Sequence, residues 1–175
     1  TLILTGANSY TGGTLVSGGA LRIGDGGTTG SITGDVVNDA FLAFSRSDDV
    51  TFAGAITGGG TVAQIGGGTL TLTGNSTGFT GATEIRNGTL AVDGSLGGVV
   101  TVMSGARLLG AGQVGGIVNQ TGGVVAPGRD GVVGTLTVAG NYAGAGGVLR
   151  MDATLAGDNA PADRLVVRGA TSGVT

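Results

Sequence analysis

GGGTLTLTGNSTGFTGATEIRNGTLAVDGSL, residues 66–96, is the stretch whose reading decides the fold. Within it Leu70 and Leu72 alternate with Thr69, Thr71 and Thr73. Successive strand side chains point to opposite sides, so the leucines share one face and the threonines the other. Leu90 and Val92 repeat the alternation against Thr89, Ala91 and Asp93, and Ile85 lies between Glu84 and Arg86 just ahead of Asn87-Gly88. That dipeptide accepts positive φ at little cost, which marks a sharp turn. The unit therefore reads as three short half-buried strands and their turns. Leu70, Leu72, Leu90 and Val92 are expected to point inward, and Thr69, Thr71, Arg86 and Asp93 outward.

An earlier copy occupies residues 2–25, LILTGANSYTGGTLVSGGALRIGD. Leu2, Leu4, Thr5 and Gly6 match Leu70, Leu72, Thr73 and Gly74 at an offset of 68. After one inserted residue, Tyr10-Thr11-Gly12 matches Phe79-Thr80-Gly81 at 69, and Gly19, Leu21 and Ile23 match Gly88, Leu90 and Val92. Recurrence of this kind marks a repeat architecture, in which one unit cannot bury its own apolar face and must stack on neighbours.

Composition narrows the class. With 41 glycines and two prolines in 175 residues, about a quarter of the chain, disorder is the competing reading. Leu, Ile, Val and Phe number 46, enough to bury a core against the cost of ordering the backbone. Aromatics are only 3% and charged residues 11%, which implies a narrow aliphatic core under a Thr, Ser, Asn and Gly surface. A net charge of −3, no lysine and eight dispersed arginines argue against nucleic acid and against a polybasic membrane patch. Without cysteine there is neither a disulfide framework nor a thiolate metal site. No stretch reads as a signal peptide or an apolar helix, and the chain begins inside a repeat, as a piece of a longer protein would.

Along the chain, residues 24–34 form a Gly, Thr and Ser loop. Ala40, Leu42 and Phe44 then alternate with Phe41 and Ala43, and Val50-Thr51-Phe52 follows as a short strand. The region 24–68 lacks the repeat pattern but keeps its spacing. Beyond Leu96, residues 99–103 and 107–109 pair as strands, as do Ile117-Val118 and Val124-Val125, and Thr135-Leu136-Thr137-Val138 renews the alternation. Leu149, Met151, Ala153 and Leu155 are read as sharing one face of a strand, with Arg150, Asp152 and Thr154 on the other, and Leu165 and Val167 as doing the same between Arg164, Val166 and Arg168. The coils from Val99 to Val167 read as the most regular. No helical period persists over ten residues.

Strands in groups of two or three per roughly 20–25 residues, with few large aromatics, favour winding over a sandwich. The fold expected is a parallel β-helix of about seven or eight coils, a rod on the order of 35–40 Å long.

The quoted repeats resemble the passenger-associated transport repeat of bacterial autotransporters. GARLLGAGQVGGIVNQTGGVVAPGRDGVVGTLTVAGNY (residues 105–142) is similar to the last coils of such passengers, and DRLVVRGATSGV (163–174) to the stretch leading toward their autochaperone region. The resemblance implies a right-handed β-helix, secretion through the outer membrane of a Gram-negative bacterium, and display at the cell surface. It also implies a single segment, 1–175, with repeats at 1–25 and 66–96 and C-terminal coils at 97–175. The translocator barrel and the autochaperone region are expected to lie outside the chain.

The chemistry-bearing motifs are thin. GAGQVG (110–115), with Asp130 twenty residues on, fits a dinucleotide fingerprint, but Ile117-Val118-Asn119 and Gly122-Gly123 cannot form the helix that would aim its amides at a pyrophosphate. Asp48-Asp49 is the one adjacent carboxylate pair, and its members should face opposite ways. Histidine and cysteine are absent and Glu84 is the single glutamate, which removes most general bases. Gly24-Asp25-Gly26-Gly27 is one copy of a calcium-type repeat that needs several. Thr69, Thr71 and Thr73 would make a flat threonine array only if adjacent coils continued it. The sequons at Asn75, Asn87 and Asn119 are read as turns.

The leading expectation is a non-catalytic structural stalk that displays an N-terminal region and assists folding during export, with no catalytic, metal or cofactor residues. The alternatives are an adhesin-type module contacting a glycan or host-surface ligand and a carbohydrate-active enzyme using Asp48 or Asp49. The uncapped ends are expected to let the fragment associate end to end.

Overall fold

Glycine columns at the corners, more than any single core residue, set the shape of this chain. Each coil turns three corners, and at two of them a column of glycines sits on the backbone of the coil beneath. At one corner the column runs through Gly60, Gly81, Gly98, Gly115 and Gly140: a Cβ on Gly81 would come within 1.8 Å of the Gly60 carbonyl oxygen, and one on Gly98 within 1.9 Å of that of Gly81. A second column runs through Gly34, Gly54, Gly74, Gly94 and Gly112, with equivalent approaches of 2.1–2.3 Å. Stacked strands lie about 4.8 Å apart, so a corner that folds flat on its neighbour leaves no room for a side chain.

The structure, a computed structural model, describes residues 1–156 and 159–174. They form strands, turns and bends with no helix, wound into a parallel β-solenoid of about seven turns. The first face carries Leu2–Leu4, Ala20–Ile23, Phe41–Phe44, Thr61–Gln64 and Ala82–Ile85, and continues through the later part of Ser95–Val102 and of Gln113–Gln120 to Tyr142–Ala145 and Thr171–Val174. The second face stacks Val50–Phe52, Thr69–Leu72, Thr89–Val92, Arg107–Gly110, Val124–Pro127 and Val148–Leu149. The third starts with Thr14–Val16, Val36–Asn38 and Ile56–Thr57. It continues through Asn75–Ser76, whose Ser76 Oγ accepts from the Ile56 N–H at 2.8 Å, to Thr135–Val138 and Arg164–Val167.

Inward residues stack in register. Leu21, Leu42, Val62, Thr83, Val100 and Ile117 form one column, and Leu70, Leu90, Leu108 and Val125 another. One continuous apolar cluster runs from Val16 to Tyr142. Leu70, Leu72, Leu90 and Val92 are buried in it, whereas Thr69 and Thr71 are half-buried and Arg86 and Asp93 exposed, as the alternation requires. Residues 24–68 keep the coil spacing without the motif, since the pairs Leu21–Leu42 and Leu42–Val62 lie 21 and 20 residues apart.

Three expectations are corrected. The coils after Val99 are the least regular: the partner spacing is 17 from Val100 to Ile117, 25 from Ile117 to Tyr142 and 29 from Tyr142 to Thr171. The widening comes from residues 128–134, 151–156 and 159–163, which leave the ladder. Leu149, Met151, Ala153 and Leu155 therefore do not share a face. After Leu149 the chain pairs with itself, Thr154 N–H to the Pro161 carbonyl and Asp163 N–H to that of Asp152, and Met151 and Leu155 stand in solvent. Nor do all three sequons sit in turns: Asn75 starts a short strand, and Asn119 is fully buried within Gln113–Gln120, donating to the Tyr142 hydroxyl and the Val148 carbonyl.

Candidate functional surface

The carboxylates show what the polar groups of this rod are for. Asp48 and Asp49, adjacent in sequence, serve separate partners. Arg46 donates to both Asp48 oxygens, at 2.8 and 2.6 Å, and to the carbonyls of Gly30 and Thr28, so it pins the 24–34 loop to the coil. That bidentate bond holds the Asp48 carboxyl below its ordinary value and the Arg46 guanidinium above its own. Asp49 Oδ1 accepts from the Thr69 N–H at 2.9 Å.

The Asp49 bond belongs to a pattern. Asp35 accepts from the Ala55 N–H and Asp39 from the Gly59 N–H, each across 20 residues, so aspartates at corners take the place of a missing ladder carbonyl between coils. Asp25 accepts from the Gly27 N–H in its own turn, the arrangement of an Asx turn, and Glu84 pairs with Arg86. Asp163, nearly fully buried, accepts from the N–H groups of Gly134 and Asp152. Each of the ten described carboxylates thus has a structural partner, and Asp130 and Asp152 share one, Arg150. Among the described residues no group of three metal-ligating side chains is found.

The other sequence motifs fall into place similarly. Residues 110–115 close a strand and open Gln113–Gln120, so no helix follows the glycines. The threonine array does continue on adjacent coils: Thr89 stacks on Thr69 and Thr71 on Thr51, but the next rungs carry Arg107 and Ala91, which ends it at four side chains.

Sequence reasoning missed the densest charge cluster, on the outer side of the second face. Arg107 donates two bonds to Asp130, at 3.0 and 2.6 Å, and Arg150 a third at 3.1 Å. The bonds from Arg107 depress the Asp130 carboxyl and raise the guanidinium. Arg129 pairs with Asp93, and Asp152 accepts from the Gly131 N–H. The available sign was PGRDGVVG (127–134), two adjacent opposite charges in a run that breaks the strand alternation.

All of these loops lie in the last third of the chain. The Autochaperone Domain Type 1 family matches residues 112–175, and the passenger-associated-transport-repeat family matches 1–23 and 62–92. The chain belongs to the passenger domains of bacterial autotransporters. The autochaperone segment, expected beyond the chain, falls within it. Among relatives of this passenger segment, the adhesin BmaC autotransporter of Brucella suis biovar 1 is 46% identical over the whole chain, which spans 6% of that protein. The uncharacterized protein YuaQ of Escherichia coli K12 is 31% identical over 80% of the chain and 10% of its own length. An extracellular serine protease of Serratia marcescens is 41% identical over 47% of the chain and 8% of its own length. The passenger segment is thus a small part of each relative it matches.

Proposed function

We propose that this passenger segment is a structural stalk whose C-terminal third, residues 112–175, sets the fold of the coils before it and supports their display at the surface of a Gram-negative cell. The observation that carries the reading is the single unbroken apolar core, which joins the repeat at 62–92 to the strands of the autochaperone region without a domain boundary. Every coil shares its ladder with the next, so order gained at one end propagates along the rod. Refolding of the full chain against a chain lacking 112–175 is the test. Loss of refolding in residues 1–111, with rescue by restoring the segment, supports it; unassisted refolding of 1–111 to the same stability overturns it.

A second reading, adhesion, rests on the Brucella relative whose name calls it an adhesin. Its carrier would be the exposed threonines and asparagines of the coil surface, facing a glycan or another host-surface ligand. Binding of the purified chain to a glycan array separates the two readings.

A further inference from the structure

Ala91, Leu109 and Ala126 form a buried cluster separate from the main core. They stack in register on the outward side of the second face, where strand alternation places them toward water. Their neighbours show what covers them. On one side of this column lies Arg107, two residues before Leu109; on the other lies Asp93, two residues after Ala91. Residues 128–134 bond to both sides: Arg129 donates to Asp93, and Asp130 accepts from Arg107. A segment tied to both flanks must cross the column between them. Gly110 and Gly128 exchange backbone bonds of 2.8 Å at its root, and the Gly134 N–H donates to Asp163 at its far end.

The two ends of these ion pairs belong to different parts of the chain. Arg129, Asp130 and Arg150 lie inside the autochaperone segment, and Asp93 and Arg107 lie in the coils ahead of it. We propose that residues 128–134 are an ionic strap by which the autochaperone segment closes over the preceding coils and covers the Ala91, Leu109 and Ala126 face. The proposal rests on the stalk reading above and adds the contact that carries it. Cation meets Asp93 and anion meets Arg107, so the strap has one orientation; the reverse alignment places like charges together. The paired groups are partly exposed, so the bonds are weak and screened by salt. Such a strap opens locally while the solenoid stays wound.

The test uses the full chain. Asp93→Arg and Arg129→Asp, singly and combined, are compared with the parent by amide hydrogen exchange. Each single variant is expected to exchange residues 128–134 roughly fivefold or more faster while 69–85 stay unchanged, and the combined swap to return within about twofold of the parent. A swap as fast as the single variants, or single variants like the parent, overturns the proposal. Should a charge reversal prevent folding, the parent alone decides, because raising salt from about 0.02 to 0.5 M must speed exchange in 128–134; salt-independent exchange overturns it. If the swap rescues but 1–111 refolds unaided, the strap stands and the stalk reading falls; the opposite pair of results removes the strap alone.

Discussion

Leu21 and Leu90 hold the same place in the repeated motif and lie in different sheets. Leu21 pairs with Leu2 and Leu42 on the first face, Leu90 with Leu70 and Leu108 on the second. The motif spacing of 69 residues is three coils and one face, so the second copy is rotated by a corner relative to the first. What the motif conserves in both places is a stacked pair of strands, Leu2 under Leu21 and Leu70 under Leu90. It encodes how one coil lies on the next, not which side of the rod it forms.

Stacking of this kind makes inward and outward positions unequal. Leu90 is fully buried between Leu70 and Leu108, so Leu90→Ala removes contacts to two coils and should destabilise by about 2–5 kcal/mol. Thr71→Ala, on the outward side, should change stability by less than about 0.5 kcal/mol. Urea unfolding of both variants is the check, and similar losses would contradict the assigned faces.

The periodicity that separates Leu90 from Thr71 was legible because period-two alternation survives in strands as short as four residues. The winding was legible from the repeat and the shortage of large aromatics. What was not legible is whatever depends on contacts between coils. Asp35, Asp39 and Asp49 look like solvated turn residues until the coil 20 residues later is in place. Asn119 reads as a sequon in a turn because nothing local shows that Tyr142 and Val148 close over it. Leu149, Met151, Ala153 and Leu155 alternate properly and still fail as a strand, because residues 152–154 pair with 161–163 instead of with the ladder.

Glycine columns give a second prediction. Gly81→Ala would drive a Cβ into the Gly60 carbonyl oxygen, backbone that cannot move without unstacking the corner, and should cost about 3 kcal/mol or more. Gly18→Ala meets nothing within 4 Å and needs no positive φ, so it should be neutral or stabilising by up to about 1 kcal/mol through the unfolded chain. Thermal melts of the pair separate space from conformational freedom.

Acid should loosen the rod while neutral pH leaves it unchanged. Asp48 and Asp130 are held below the ordinary carboxyl value by hydrogen bonds from Arg46 and Arg107. A group depressed on folding contributes stability that is present above its unfolded pKa, about 3.9, and is lost as pH falls through the folded value. Stability should therefore be level from about pH 5 to 8, where the chain has no histidine to titrate, and decline below about pH 4. Asp48→Asn should flatten part of that decline. Urea midpoints at pH 7 and pH 3 measure it, and an equal drop in variant and parent would remove Asp48 from the account.

Thr83 is the polar exception in an aliphatic column. It stacks between Val62 and Val100, is fully buried, and its Oγ1 has no hydrogen-bond partner among the described residues. Thr83→Val keeps the shape and removes the unpaired hydroxyl, so it should stabilise by about 1 kcal/mol. Val62→Thr, which adds a hydroxyl one rung below, should destabilise by a similar or larger amount. A destabilised Thr83→Val would mean that the hydroxyl is satisfied in solution.

The two ends of the isolated chain are complementary edges. Leu2–Leu4 and Thr14–Val16 each pair on one side only among the described residues, and Leu2, Ile3 and Leu15 are 61%, 42% and 67% exposed. At the other end Arg164–Val167 and Thr171–Val174 also pair on one side only, with Leu165 and Val167 half-buried. All the strand pairings are parallel, so the first edge of one copy matches the last edge of another, and such a head-to-tail contact does not close on itself. The isolated chain should therefore associate with rising concentration, to linear species of increasing length. Leu2→Asp, at the exposed foot of the inward Leu21 column, should suppress this by burying a charge in the contact. Light scattering against concentration measures both. A parent that stays monomeric while the variant behaves identically would show that these edges do not pair, and Arg164 beside the last edge would then be the first residue to replace.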